Sequence, residues 1–372
     1  MPRTSVRRSA QSSIPGRLFA LFAAGIVALP SLATANPTMV VDVNSGRVVS
    51  HQDAFRKWYP ASLTKLMTAY SVFLAIRRGE VTLQTPVTMS KRAASEPPSR
   101  IGFKVGSQMT LDSALKILLV KSANDVAVAV AETVGGSLEN FMARMNADAA
   151  NLGMSSSHFV NPHGLPGPGQ YSTARDLALL AVALRREFPE YAGYFALEGI
   201  DTGKRVYPNY NLLIGRFDGA DGMKTGYICA SGFNQISSAT RNGRTVVSVV
   251  LGADSLGARA DMSADLLQKA LVSAPQGPRL EAIAPYGERL DVVNDISSEI
   301  CNPKARQVRS EGRDEAGRMK MLSPYIHEMG RPPQAVFAGT IPGTEPVEAA
   351  APGKAKPGQI ANVPIPIPRP TF

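Results

Sequence analysis

Cysteine occurs only twice in the 372 residues, at Cys229 and Cys301, and histidine four times, at His51, His158, His163 and His327. Two cysteines cannot staple a small disulfide scaffold, and a chain this long does not need one to bury a core. One bridge is compatible with that count, but two unpaired thiols, one of them buried, are the expectation. The histidines are scattered and no Cys/His pair has zinc-site spacing, so no metal and no cofactor is predicted. Charged residues make up 19% against 44% hydrophobic, which excludes a wholly disordered chain. Long apolar runs are equally scarce: only Leu18 to Leu32 approaches membrane length.

Acidic residues are outnumbered 30 to 40, a formal charge of +10 that on its face suggests nucleic acid, an anionic membrane or an anionic polymer. Divided by segment, the surplus loses that meaning. Residues 1–35 hold four arginines and no acid, residues 275–372 hold 12 basic and 11 acidic groups, and the remaining +5 is spread over the long middle. That is no nucleic-acid footprint, and no nucleic-acid partner is predicted.

The first segment explains itself. Arg3, Arg7, Arg8 and Arg17 precede the apolar run, and Ala33-Thr34-Ala35 supplies the small-x-small pattern of a signal-peptidase site. Residues 1–35 read as a Sec-type signal peptide. The apolar core is short for an uncleaved anchor, and the residues after Arg7-Arg8 match a twin-arginine signal poorly. The mature chain is expected to be exported, facing the periplasm or cell wall, and soluble.

Alternation on either side of Asn44-Ser45-Gly46 predicts a β-hairpin over 38–53. Apolar residues three or four apart predict helices at about 62–79, 111–121, 123–135, 138–152 and 173–186. Gly232 to Ala239 and Thr245 to Gly252 read as strands joined through Asn242-Gly243, followed by a last helix at about 257–272. Strands at both ends with helices between predict an α+β fold: one antiparallel sheet built from both ends of residues 36–274, packed with helices and an inserted helical subdomain. Residues 275–330 are a poorly defined extension, in which alternations such as Arg289 to Val293 predict a strand or two. From Arg331 onward ten prolines stand in 42 positions, so no packed core is expected there, only an extended tail that acts as a solvated spacer.

Three short elements lie in order within the folded region: Ser62-Leu63-Thr64-Lys65, Ser122-Ala123-Asn124 and Lys224-Thr225-Gly226. Ser-x-x-Lys alone arises by chance about once or twice in such a length, and Lys-Thr-Gly on the order of once in several thousand positions. Together they make chemical sense. Pro60-Ala61 before an amphipathic pattern places Ser62 at a helix start, with Lys65 one turn on and on the same face. A serine hydroxyl needs a base, and lysine serves as one when burial and a second cation such as Lys224 lower its pKa. The helix start also aims N–H groups at the attacked carbonyl, where an oxyanion develops.

These words, together with Asn161-Pro162-His163-Gly164-Leu165, Tyr171 to Asp176, Asp221-Gly222-Met223 and Ser248 to Ala253, resemble the serine D-alanyl-D-alanine carboxypeptidases among the low-molecular-mass penicillin-binding proteins. The resemblance covers about 38–274. It implies that Ser62 is acylated, that Lys65 is its base, and that Ser122 relays a proton to the leaving D-alanine amine. It implies that Asn124 holds the substrate's peptide amide and that Lys224 and Thr225 bind the terminal carboxylate or tune Lys65. Gly226 would let a substrate strand lie on the sheet edge, and the N–H groups of Ser62 and Tyr227 would form the oxyanion hole. Arg259 is a further carboxylate candidate, or else a surface charge. The partners implied are peptidoglycan stem peptides and β-lactam inhibitors. His163 reads as a turn histidine, Asp176 as part of a helix cap, and Trp58 and Tyr59 as packing residues.

The same motifs occur in class A β-lactamases, but the Glu-x-x-Leu-Asn word that resembles theirs is missing between Ser122 and Lys224. A DD-endopeptidase or transpeptidase shares the acyl-enzyme and stays open, as does a wall-binding protein with a retired site. Known relatives end in an amphipathic membrane helix. The Pro-Ile-Pro-Ile-Pro-Arg-Pro end cannot form one, so membrane anchoring by that route is not expected.

Overall fold

The computed structural model describes residues 1–2, 4–5, 36–304, 307 and 319–346, so the signal-peptide reading and the final stretch of the proline-rich tail lie outside the described residues. The chain opens with β1 (Thr38–Asp42) and β2 (Val48–Gln52), the expected hairpin. A one-turn 3-10 helix (Ala61–Leu63) runs directly into α1 (Thr64–Arg77). Then come β3 (Pro86–Thr88), α2 (Lys91–Ala94), β4 (Gln108–Thr110), α3 (Leu111–Val120), α4 (Asn124–Gly135), α5 (Leu138–Asn151) and α6 (Ala174–Glu187). The short strands β5 (Gly199–Asp201) and β6 (Val206–Pro208) lead to β7 (Ala220–Ile228), β8 (Gly232–Arg241), β9 (Arg244–Ala253) and α7 (Leu256–Val272). Beyond these lie α8 (Ser297–Ile300) and β10 (Ala335–Phe337).

The main sheet has the order β2-β1-β9-β8-β7 and is antiparallel throughout, so strands from both ends of the folded region meet at its centre, where Met39 faces Val249. Both faces are covered. Ala260, Ala264, Leu267 and Ala270 of α7 pack on Val40, Ala239 and Val246. Met39, Val41, Ile236, Val247 and Val249 point the other way, into the core shared with α1, α3, α4 and α6. Burial on both faces makes these strands read as unbroken apolar runs. Helix α1 departs from the amphipathic expectation: every residue from Thr64 to Ala75 is buried, because the helix passes through the middle of the core.

The segment after α7 differs most from expectation. Among the described residues, 289–293 form no strand. Instead the chain crosses the catalytic region in short contacts: Leu280 N–H donates to Gly46 O, Asn294 N–H to Lys57 O and Ile296 N–H to Ala230 O. The expectation of unpaired thiols is corrected, because Cys229 and Cys301 form a disulfide with a Cα–Cα distance of 5.6 Å. Burial of Ile296 and Ile300 against the core brings Cys301 to the end of β7. Residues 331–346 are also docked: Arg331 makes a two-pronged ion pair with Glu198, and β10 pairs in parallel with β5. The prolines flank Ala335–Phe337 without entering it, which leaves its N–H groups free to pair. Among the described residues no helix is long and apolar enough to cross a membrane.

Candidate active site

The candidate nucleophile, Ser62, sits on a locked turn. Ala61 takes a positive φ of 48°, and half-buried Ser62 follows on the 3-10 turn that feeds α1. Three elements hold it. Asn234 on β8 donates from Nδ2 to the carbonyls of Tyr59 and Pro60 at 3.0 and 3.3 Å, and its Oδ1 accepts from Gly252 N–H. Asn234 stands opposite Gly226 in the β7–β8 register, and a Cβ on Gly226 would lie 2.9 Å from Ser62 N and 3.1 Å from Pro60 O. A Cβ on Gly164 (φ +89°) would run into the Ala61 carbonyl. Both glycines are therefore required by close backbone approach. Gly226 does lie on the edge strand β7, but the space left by its missing side chain is filled by the nucleophile turn. That contact also brings the N–H of Ser62 beside the strand that carries Tyr227.

Lys65 is completely buried at the start of α1. Its Nζ donates to Asn124 Oδ1 at 2.8 Å, to the His163 carbonyl at 2.8 Å and to Ser62 Oγ at 3.1 Å. Burial pushes its pKa well below the ordinary lysine value, the nearby Lys224 ammonium pushes it further down, and Asp125 and Glu96 oppose the shift. The partner set decides how the neutral amine is oriented. A carbonyl and an amide oxygen only accept, so the two N–H bonds of the free base go to His163 and Asn124. The lone pair is left facing Ser62, the one partner with a proton to give. That is the geometry of a general base.

Lys224 and Arg259 form a second buried pair of cations, each 2% exposed, so Arg259 is no surface charge. Lys224 Nζ donates to Thr225 O, and its pKa falls to about 7 through burial and then through Arg259. Arg259 is lowered to about 9 by burial and still carries its charge at neutral pH. Its Nη atoms reach the carbonyls of Gly226, Asn234 and Tyr210 at 3.2–3.5 Å, while Nε has no partner among the described residues. Two buried cations with no carboxylate partner among the described residues suit an anionic group brought by a ligand.

The opposite wall is the turn between α3 and α4. Ser122 adopts φ 63°, is 7% exposed, and its Oγ lacks a hydrogen-bond partner among the described residues. Asn124 is committed at both ends, accepting from Lys65 and donating from Nδ2 to Pro97 O. It therefore positions the base, where the resemblance implies contact with substrate. A segment that sequence patterns did not mark, residues 96–102, is strapped to this wall: Asn124 N–H donates to Ser99 O, and Asp125 accepts from the N–H groups of Ile101 and Gly102.

His163 does its work through its carbonyl. Nδ1 accepts from Leu165 N–H, so the ring proton is on Nε2, 3.1 Å from Glu96 Oε2. Burial and then Lys65 lower its pKa to about 3, which keeps the ring neutral and braces the turn. Asp176 accepts from Ser156 N–H and Arg175, Thr173 caps α6, and buried Trp58 donates to Ser231 O. Tyr227, 42% exposed, rests on Phe233, with its hydroxyl 3.3 Å from Cys301 Sγ. Ser62, Lys65 and Asn124 are thus joined by direct hydrogen bonds, Gly226 lies against the Ser62 turn, and Arg259 reaches the Gly226 carbonyl. Ser122 stands two residues before Asn124, and Lys224, Thr225 and Tyr227 flank Gly226 on β7. Asn234 and residues 96–102 escaped the sequence reading because their contacts are distant in the chain.

Residues 26–255 match the family model described as D-alanyl-D-alanine carboxypeptidase. The chain is 30% identical over 311 residues to the D-alanyl-D-alanine carboxypeptidase DacA of Haemophilus influenzae, covering 80% of this chain and 79% of that protein. It is 38% identical over 226 residues to DacC of Escherichia coli, covering 59% of this chain but only 56% of the relative. Among solved structures, penicillin binding protein 5 from Haemophilus influenzae superposes with a TM-score of 0.62 at 32% identity, over 65% of this chain and 72% of that one.

Proposed function

The chain belongs to the D-alanyl-D-alanine carboxypeptidase family of serine peptidases, and we propose that it removes the terminal D-alanine from peptidoglycan stem pentapeptides through an acyl-enzyme on Ser62. The observation that carries this reading is the Lys65 amine, fully buried, with only Ser62 among its partners able to give it a proton. Lys65 takes the Ser62 proton as Oγ attacks the penultimate D-alanine carbonyl, and the N–H groups of Ser62 and Tyr227 stabilise the oxyanion. Ser122 passes a proton to the departing amine while Lys224, Thr225 and Arg259 hold the terminal carboxylate. Water then releases the shortened peptide.

A β-lactam presents a strained amide and a carboxylate to the same groups, so it acylates Ser62 and stays bound, since the chain lacks the Glu-x-x-Leu-Asn word of class A β-lactamases. Export by residues 1–35 would place the enzyme in the periplasm or against the cell wall, where its substrate is. Covalent labelling by a fluorescent penicillin tests the site directly. Labelling of the purified chain that vanishes in Ser62→Ala is expected; labelling retained in that variant, or fast hydrolysis of a chromogenic cephalosporin, contradicts the reading.

A further inference from the structure

Beside Ser122 and Arg259, two residues without an assigned chemical role meet, Lys121 and Tyr210. Lys121 directly precedes Ser122, and its Nζ donates to Ser99 Oγ at 3.0 Å and to the Tyr210 hydroxyl at 3.3 Å. Tyr210 belongs to the turn after β6, and its carbonyl accepts from Arg259 Nη2 at 3.2 Å. The same ammonium stands 5.2 and 5.7 Å from the ring centroids of Tyr207 and Tyr210. Among the described residues Lys121 has no carboxylate partner.

The turn that presents Tyr210 is rigid on both sides. Asn209 N–H and Nδ2 donate to Glu198 O and Leu197 O, and its Oδ1 accepts from Asn211 N–H. Asn211, 2% exposed, donates to Gly222 O at 2.8 Å and accepts from Leu213 N–H. Tyr210 nevertheless leaves 43% of its surface exposed. A fixed, partly exposed aromatic whose hydroxyl is held by an ammonium that has no carboxylate partner among the described residues is a surface suited to a ligand.

What it faces follows from the reaction proposed above, on which this inference rests. The leaving residue lies between Ser122, which protonates its amine, and Arg259 with Lys224, which take its carboxylate. Tyr210 joins those two walls, touching the neighbour of Ser122 with its hydroxyl and Arg259 with its carbonyl. We infer that Lys121 and Tyr210 are specificity residues that close the leaving-group end of the cleft: Lys121 adds an ammonium for a free terminal carboxylate, and the Tyr210 ring blocks a leaving group that continues into a second peptide. The cleft then accepts a single terminal D-alanine and rejects a cross-link.

The test uses the purified chain with two probes, diacetyl-L-lysyl-D-alanyl-D-alanine and a cross-linked muropeptide dimer. Tyr210→Ala is expected to raise the ratio of dimer cleavage to D-alanine release by about tenfold or more, while Tyr210→Phe, which keeps the ring, leaves that ratio near the unsubstituted value. Lys121→Met is expected to raise KM for the tripeptide by about tenfold with kcat little changed, and Lys121→Arg to restore it. A Tyr210→Ala protein that is still acylated by fluorescent penicillin but shows an unchanged ratio overturns the inference, as does an unchanged KM in Lys121→Met. An unsubstituted enzyme that releases no D-alanine from the tripeptide overturns the reaction itself; release by the unsubstituted enzyme with unaltered variants overturns the gate alone.

Discussion

In the proposed reaction Lys65 becomes a base through the company it keeps. Lys65 is buried, bonded to two oxygens that cannot donate, and near another ammonium, so its neutral form is favoured and aimed at Ser62. Lys224 is held down by burial and by Arg259, to about 7. In the proposed reaction the two lysines act in opposite protonation states, Lys65 neutral as base and Lys224 charged towards a carboxylate. The rate of Ser62 acylation should therefore rise with pH as Lys65 loses its proton and fall as pH passes the Lys224 value of about 7. Arg259→Gln removes a like charge from beside Lys224, which raises the Lys224 pKa. The alkaline limb of the acylation profile, followed with a fluorescent penicillin, should move to higher pH in that variant; a limb that stays put or moves to lower pH contradicts the assignment.

At the scale of elements, the site is a seam between the edge strand β7, the start of α1 and the α3–α4 turn. Its sequence words were legible because each is short and contiguous: Lys224-Thr225-Gly226 on one strand, Ser62 and Lys65 on one turn. The seam that joins them was not. Asn234, which stands opposite Gly226 and holds the nucleophile turn, looks like any polar residue in a strand until the register is known. Strands β3 to β6 are three residues each, too short for alternation to mark. The disulfide was equally hidden, since two cysteines 72 positions apart carry no signal of proximity. It ties the end of β7, two residues past Tyr227, to the segment 294–301. Closing a loop of 72 residues restricts the unfolded chain, so Cys229→Ser with Cys301→Ser should lower the unfolding free energy by about 2–4 kcal/mol. Urea denaturation measures this, and an unchanged midpoint and slope would mean the bridge contributes nothing to the fold.

Across the described residues from 36 onward, the five-stranded main sheet is covered on both faces, and the last described segments pack back on the region that holds the site. The α+β architecture and the position of the sheet strands followed from apolar patterning, because the core strands are long and several helices, α3, α5, α6 and α7, open on a capping residue, Thr110, Ser137, Thr173 or Ser255. The docking of residues 276–304 and 319–346 did not follow. It rests on isolated bonds and on ion pairs such as Arg331 with Glu198, which leave no periodic trace. Within the basic surplus, the informative part is Lys65, Lys224 and Arg259, all buried in the seam. Release of free D-alanine from a stem pentapeptide, measured for the unsubstituted chain and for Ser62→Ala, tests the central claim most directly. Steady release by the former and a loss of roughly a thousandfold or more in the latter are expected. Release that persists undiminished without the Ser62 hydroxyl, or no release by the intact enzyme, would contradict it.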